Sequence, residues 1–142
     1  MTMTTLLDAF AAKLRAALTC PVEKYWRLDP PAVLKVWVSP LSEQPEEGLA
    51  IGNMFGEELR LTVIAEVPWD DTAACAELVV TTVETIKAQV HANRDLAGGI
   101  KGRHYGTQYR FVQRAGIPAS EGGGIYYSSN TTVGWTWQDP DT

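Results

Sequence analysis

The sequence predicts an α+β fold of two helices and four strands, with a long loop between the first two strands. Two apolar stripes at three- and four-residue spacing mark the helices, over Thr5–Thr19 and Asp71–Ala92. Alternating apolar and polar residues mark the strands at Ala32–Ser39, Leu59–Val67, His104–Arg114 and Ile125–Trp137. Proline or glycine punctuates most of the junctions between them.

The first helix carries Leu7, Phe10, Leu14 and Leu18 on one stripe, broadened by Leu6, Ala11 and Ala17. Thr5 and Asp8 read as a capping box with Asp in place of Glu, and Pro21 marks the end. Pro30-Pro31 introduces the first strand, in which Leu34, Val36 and Val38 alternate with Val33, Lys35 and Trp37 before Pro40 closes it. The second strand lines up Leu59, Leu61, Val63, Ala65 and Val67. Its other face, with Arg60, Thr62, Ile64 and Glu66, is partly wet or lies under another chain, and Pro68 ends it.

Between these strands, Pro40–Glu58 reads as a long connection holding Glu43, Glu46, Glu47, Glu57 and Glu58. Structureless loops beyond about 12–15 residues are uncommon in compact domains, and are usually functional or disordered. A mobile, solvated insertion is one reading. Leu49, Ile51, Met54 and Phe55 are too apolar for a pure solvent tether and point to a segment that orders against a partner.

The second helix has Ala76, Val79, Val83, Ile86 and Val90 on its stripe, with Asp70 and Asp71 suited to its positive N-terminus. The β-branched run Val79–Val83 argues locally for a strand. Twenty-two residues without Gly or Pro outweigh it. Asn93–Gly102 is a glycine-bearing turn. His104–Arg114 follows with Tyr105, Thr107, Tyr109 and Phe111 on one side, and Ala115–Gly124 forms a loop closed by three glycines.

In the last strand, the odd positions Ile125, Tyr127, Ser129, Thr131, Val133, Trp135 and Trp137 make an apolar-centred face. At about 3.3 Å per residue the run spans roughly 40 Å. Strands usually run about 5–6 residues, so this one is expected to outrun its own core. Trp135 and Trp137 are therefore candidates for contact with a neighbouring subunit. Ser129-Asn130-Thr131 could instead be a three-residue hairpin turn, which parity does not exclude.

A chain of 142 residues fits one domain, residues 1–142, and buries roughly 68–70% of its unfolded surface without a metal or disulfide. Net charge is −5 with no Lys/Arg cluster, which argues against sequence-specific nucleic-acid binding. Cys20 and Cys75 sit in no metal or redox spacing, so a reducing compartment is expected. Asp8, Lys13 and Arg15 interrupt the N-terminal apolar stretch, excluding a signal-peptide core and a membrane span.

No catalytic, metal or cofactor motif stands out, and the expectation is a protein without enzymatic activity. Gly98-Gly99-Ile100-Lys101-Gly102 lacks the phosphate-loop spacing and precedes a strand where such a loop opens a helix. His91 suits the end of the second helix as a dipole partner. The five tryptophans and five tyrosines serve core, contact surface or both.

The order of elements, with Pro31-Ala32-Val33 opening the first strand, the charged connection, Leu59–Val67 with Pro68, Asp95-Leu96-Ala97-Gly98-Gly99 after the second helix and the aromatic last strand, resembles the tail terminator proteins of long-tailed bacteriophages, the lambda type in particular. The resemblance implies a four-stranded, mainly antiparallel sheet with both helices packed on it. It further implies a hexameric ring at the head-proximal end of the virion tail, assembled in the host cytoplasm. Such a ring caps the tail tube protein, ends its polymerisation and presents a joining surface to a head-closure or connector protein. No catalytic residues or cofactors are carried over. Another neck, tail-completion or head-closure subunit is the nearest alternative. A small α+β enzyme or ligand-binding domain is the more distant one, and would need a convergent polar pocket.

Overall fold

The computed structural model describes residues 1–27, 31–51, 54–114 and 124–140. In chain order these form α1 (Met3–Ala17), β1 (Val22–Lys24), β2 (Lys35–Ile51), β3 (Met54–Pro68), α2 (Ala73–Ala92), a single 3-10 turn at Leu96–Gly98, β4 (Lys101–Gln113) and β5 (Ile125–Pro140). The fold is α+β. Its strands make one open sheet in the order β1-β2-β3-β5-β4. β2, β3, β5 and β4 are antiparallel neighbours, while β1 runs parallel to β2.

Among the described residues the sheet thus has five strands and is mixed, where four mainly antiparallel ones were expected. β1 is three residues long, too short to show alternation in the sequence. Backbone bonds from Val36 N–H to Pro21 O at 3.0 Å and from Tyr25 N–H to Val38 O at 2.8 Å hold it in place.

The largest departure concerns Pro40–Glu58, which is a continuous extension of two strands and not a loop. β2 and β3 pair from Lys35↔Glu66 through Glu46↔Gly56, and Ile51↔Met54 continues the ladder. Pro40 therefore lies inside β2 and does not close it. Past Val38, β1 no longer covers the outer side of β2. A proline is tolerated on such an edge, and the register shifts between Pro40 and Ser42. The resulting β2–β3 arm runs beyond the helices, accompanied by β5 as far as the pair Met54↔Pro140. β5 is a single strand, paired with β3 on one side and β4 on the other, so Ser129–Thr131 makes no turn.

Both helices pack on one face of the sheet. Leu6, Leu7, Phe10 and Leu14 of α1 and Val79, Ile86 and Val90 of α2 meet Val36, Val38, Leu59, Leu61, Val63, Ala65, Val133 and Trp135. The helix caps differ from the expected ones. Thr2 caps α1 by accepting from Thr5 N–H at 3.3 Å, while Asp8 pairs with Lys24. Thr72 caps α2 by accepting from Cys75 N–H at 3.3 Å. Asp70 braces that cap, accepting from Thr72 N–H at 3.1 Å and from its hydroxyl at 2.6 Å. These bonds hold the Asp70 carboxyl below its usual pKa. The expected glycine-closed loop lies at residues 115–123, outside the described residues.

Candidate assembly surface

The sheet face turned away from the helices is polar, and two buried carboxylates organise it. Glu58, on β3 at the root of the arm, is fully buried. It accepts from Arg60 Nε at 2.5 Å, from Gln44 Nε2 at 3.2 Å and from the Tyr105 hydroxyl. The Arg60 guanidinium stacks 4.0 Å from the Tyr105 ring centroid. Tyr105 stands at the irregularity between His104 and Gly106 in β4, a position where a bulge re-aims a side chain.

To reach β3, Tyr105 must cross β5, and it does so over Gly134. A Cβ there would lie 3.1 Å from both Tyr105 Cε2 and Arg60 Cγ. This bridge ties β2, β3 and β4 together. Beside it, Leu41, Arg60, Tyr105, Gln108, Asn130 and Thr132 line a groove of about 530 Å³.

Farther along the same face, Glu66 takes a two-pronged contact from Arg114, Nε to Oε1 and Nη2 to Oε2, each at 2.8 Å. Such paired geometry is the strong form of a charged hydrogen bond. The rings of Trp26, Trp37 and Tyr126 lie 5.2, 5.9 and 5.4 Å from the guanidinium carbon. They shield it from water.

β4 ends the sheet and carries different chemistry on its two sides. Residues opposite one another in an antiparallel ladder share a face. The pairs Lys101↔Thr136, Arg103↔Gly134 and Arg110↔Ser128 therefore set three cations on the polar face. The helix-side face carries Tyr109 and Phe111, 41% and 59% exposed. With Trp69 and Tyr127 they form an aromatic patch, Trp69 meeting Phe111 edge-on at 4.9 Å and Phe111 lying 5.1 Å from Tyr127. On that same side His104 bonds Thr107 at 2.9 Å. Burial, then the charges of Lys87 and His91, push its pKa down.

The residues singled out in the sequence are placed unequally. Glu43 is exposed opposite Leu59, and Glu57 is half-buried opposite Trp137. Glu58 is consumed within the chain. Glu46, Glu47, Leu49, Ile51, Met54 and Phe55 belong to the arm by strand position, while their side chains lie outside the described residues. Trp135 is fully buried, tilted on Phe10 at 4.9 Å, with Nε1 donating to Asn93 O at 2.8 Å. Trp137 is 5% exposed and donates to Ala97 O at 3.2 Å. Both indoles therefore belong to this chain's own core, and their burial leaves almost no ring surface for a neighbour.

Sequence reasoning missed the Glu66–Arg114 pair, the Tyr105 bridge and the two-sided character of β4. Arg60 and Glu66 on the polar side of β3 were the available signal for the first two. Among the described residues, no three His, Cys, Asp or Glu side chains converge as metal ligands. No described helix is long and apolar enough to cross a membrane.

No protein-family model matches this chain, and no curated protein matches it. Among solved structures, the chain is similar to the PVC sheath/tube terminator of an extracellular contractile injection system in its extended state. That match has 15% identity and a TM-score of 0.43, covering 99% of this chain. This chain spans only 58% of that one's length. A chain from the virion of a native gene transfer agent particle is similar at 16% identity and TM-score 0.37, over 94% of this chain and 90% of its own. A third solved chain matches at 15% identity and TM-score 0.47, over 96% and 95%.

Proposed function

We propose that this protein is a structural subunit of the tail-terminator type, which caps a tail tube as a ring and ends its polymerisation. The observation that carries the reading is the combination of a β2–β3 arm at one edge of the sheet with a long β4 at the other, whose outer row no described strand pairs. These are unlike surfaces on one subunit. A closed ring requires a heterologous contact, in which one surface of each copy meets a different surface of the next. The order of elements and the short motifs that resemble the lambda-type family support the same reading.

In this arrangement the apolar end of the arm, Leu49, Ile51, Met54 and Phe55, contacts the last ring of the tube. Glu43 and Glu57, which the ladder sets on one face of the arm, line the channel side. A ring that offers a tube-docking surface on one side only stops growth, because its other side gives the next tube subunit nothing to bind. That second side is free to join a head-closure or connector protein.

Electron microscopy of the chain mixed with its tail-tube subunit tests this. A ring at one end of each tube is the expected image, and a ring seated on the connector alone would assign the chain to another neck component. Deleting Gly48–Phe55 is expected to leave a folded protein that no longer caps tubes. Normal capping by that variant would end the tube-contact role of the arm.

A further inference from the structure

We infer that the polar face of β4 binds the phosphate backbone of duplex DNA, without regard to sequence. The contact goes beyond the ring reading and stands or falls separately from it, since this face is opposite the one that carries Glu43 and Glu57.

β4 sets Lys101, Arg103 and Arg110 on that face, opposite Thr136, Gly134 and Ser128 of β5. Three described carboxylates of the strands share the face by register, and each already has a cation. Glu23 pairs with Lys35, Glu58 with Arg60 and Glu66 with Arg114. Among the described residues, no carboxylate stands within ion-pair distance of Lys101, Arg103 or Arg110. The unneutralised charge described on this face is therefore all positive, although the chain as a whole carries −5.

Between Arg103 and Arg110 the same face adds neutral donors. Gln108 stands opposite Asn130, and Thr132 opposite Gly106, and all four line the groove of about 530 Å³. Asn130 spends its carbonyl oxygen on the Thr62 hydroxyl, which leaves its amide NH2 to donate. Arg, Lys, Asn, Gln and Thr are side chains that contact DNA phosphates. At about 3.3 Å per residue, Lys101 and Arg110 stand roughly 30 Å apart along β4, close to the roughly 34 Å of one duplex turn.

Two observations select duplex DNA over other polyanions. Tyr109 and Phe111, the large exposed apolar side chains of β4, lie on its other face. Protein partners bury an apolar core, whereas DNA interfaces are polar and strongly positive. Single strands are held by aromatic platforms on which their bases stack. Tyr105, the exposed ring beside the row, already carries the Arg60 guanidinium and spends its hydroxyl on Glu58. A duplex, whose bases are stacked on one another, needs no such platform.

Fluorescence anisotropy of a labelled short duplex titrated with the full chain tests the inference. Two duplexes of unrelated sequence are expected to bind alike. With three phosphates neutralised, affinity is expected to fall about fortyfold between about 50 mM and 200 mM salt, a log–log slope of about −2.7. R103E/R110E is expected to weaken binding at least tenfold. K13E/R94E makes an equal change in net charge at exposed positions in and beside the helices, and is expected to weaken binding far less. Circular dichroism checks that each variant is folded. Should R103E/R110E fail to fold, R110Q decides, with a slope expected to be shallower by about 0.9.

No binding at about 50 mM salt, equal losses from the two double variants, or a slope unchanged in R110Q overturns the inference and leaves the ring reading untouched. Tighter binding of the matching single strand overturns it in favour of base contacts. Binding of poly-L-glutamate in place of the duplex, lost in R103E/R110E, overturns it and assigns the face to an acidic protein.

Discussion

Glu66 and Arg114 pose the sharpest energetic question at the scale of single residues. Both are almost completely buried, at 2% and 7% side-chain exposure. Two charges inside a protein lose hydration, and their attraction offsets this only when the geometry is good. Here two parallel bonds and a wall of three rings provide it. Removing one partner strands the other charge. Arg114→Met is therefore expected to lower the stability to unfolding by about 3–5 kcal/mol, read as a shift in the urea midpoint. Adding Glu66→Leu to that variant removes the stranded carboxylate and is expected to recover most of the loss. A double variant no more stable than the single one would mean that the pair contributes through packing around the rings and not through charge.

At the scale of elements, the bridge over β5 depends on what Gly134 lacks. Gly134→Val would push a branched side chain between Arg60 and Tyr105, whose atoms stand 3.1 Å from the position of a Cβ. Overpacking of this kind costs about 1–3 kcal/mol. Gly106→Ala is the control, since nothing lies within 4 Å of a Cβ there, and little change is expected in its thermal midpoint. Equal losses from both would show that backbone freedom, and not the bridge, governs this part of the sheet. Both helices were legible in the sequence because their stripes are long and their period is unlike that of a strand. The last strand was legible because parity survives over its whole length. The arm was not, because Pro40 reads as a breaker until β1 is known to leave that edge uncovered. β1 itself was invisible at three residues. The candidate site was legible only in part, since alternation tells which residues share a face but not which strand lies alongside. Trp135 and Trp137 were correctly placed on one face, and that face proved to be the chain's own core. Tyr105 and Glu58 lie 47 residues apart, and only the strand order brings them together.

At the scale of the whole molecule, net charge and the aromatic patch beside β4 pull in opposite directions. A net charge of −5 makes two copies repel on average. The aromatic patch of Trp69, Tyr109, Phe111 and Tyr127 on the helix side of β4 offers an apolar route to association. Ionic strength separates the two. Going from 0.01 M to 1 M salt shortens the Debye length from about 30 Å to about 3 Å, which screens exposed charges and leaves apolar burial undiminished. Self-association through the patch is therefore expected to hold or strengthen across that range, read by sedimentation velocity. Association that is lost in 1 M salt would instead place the contact on exposed charged groups.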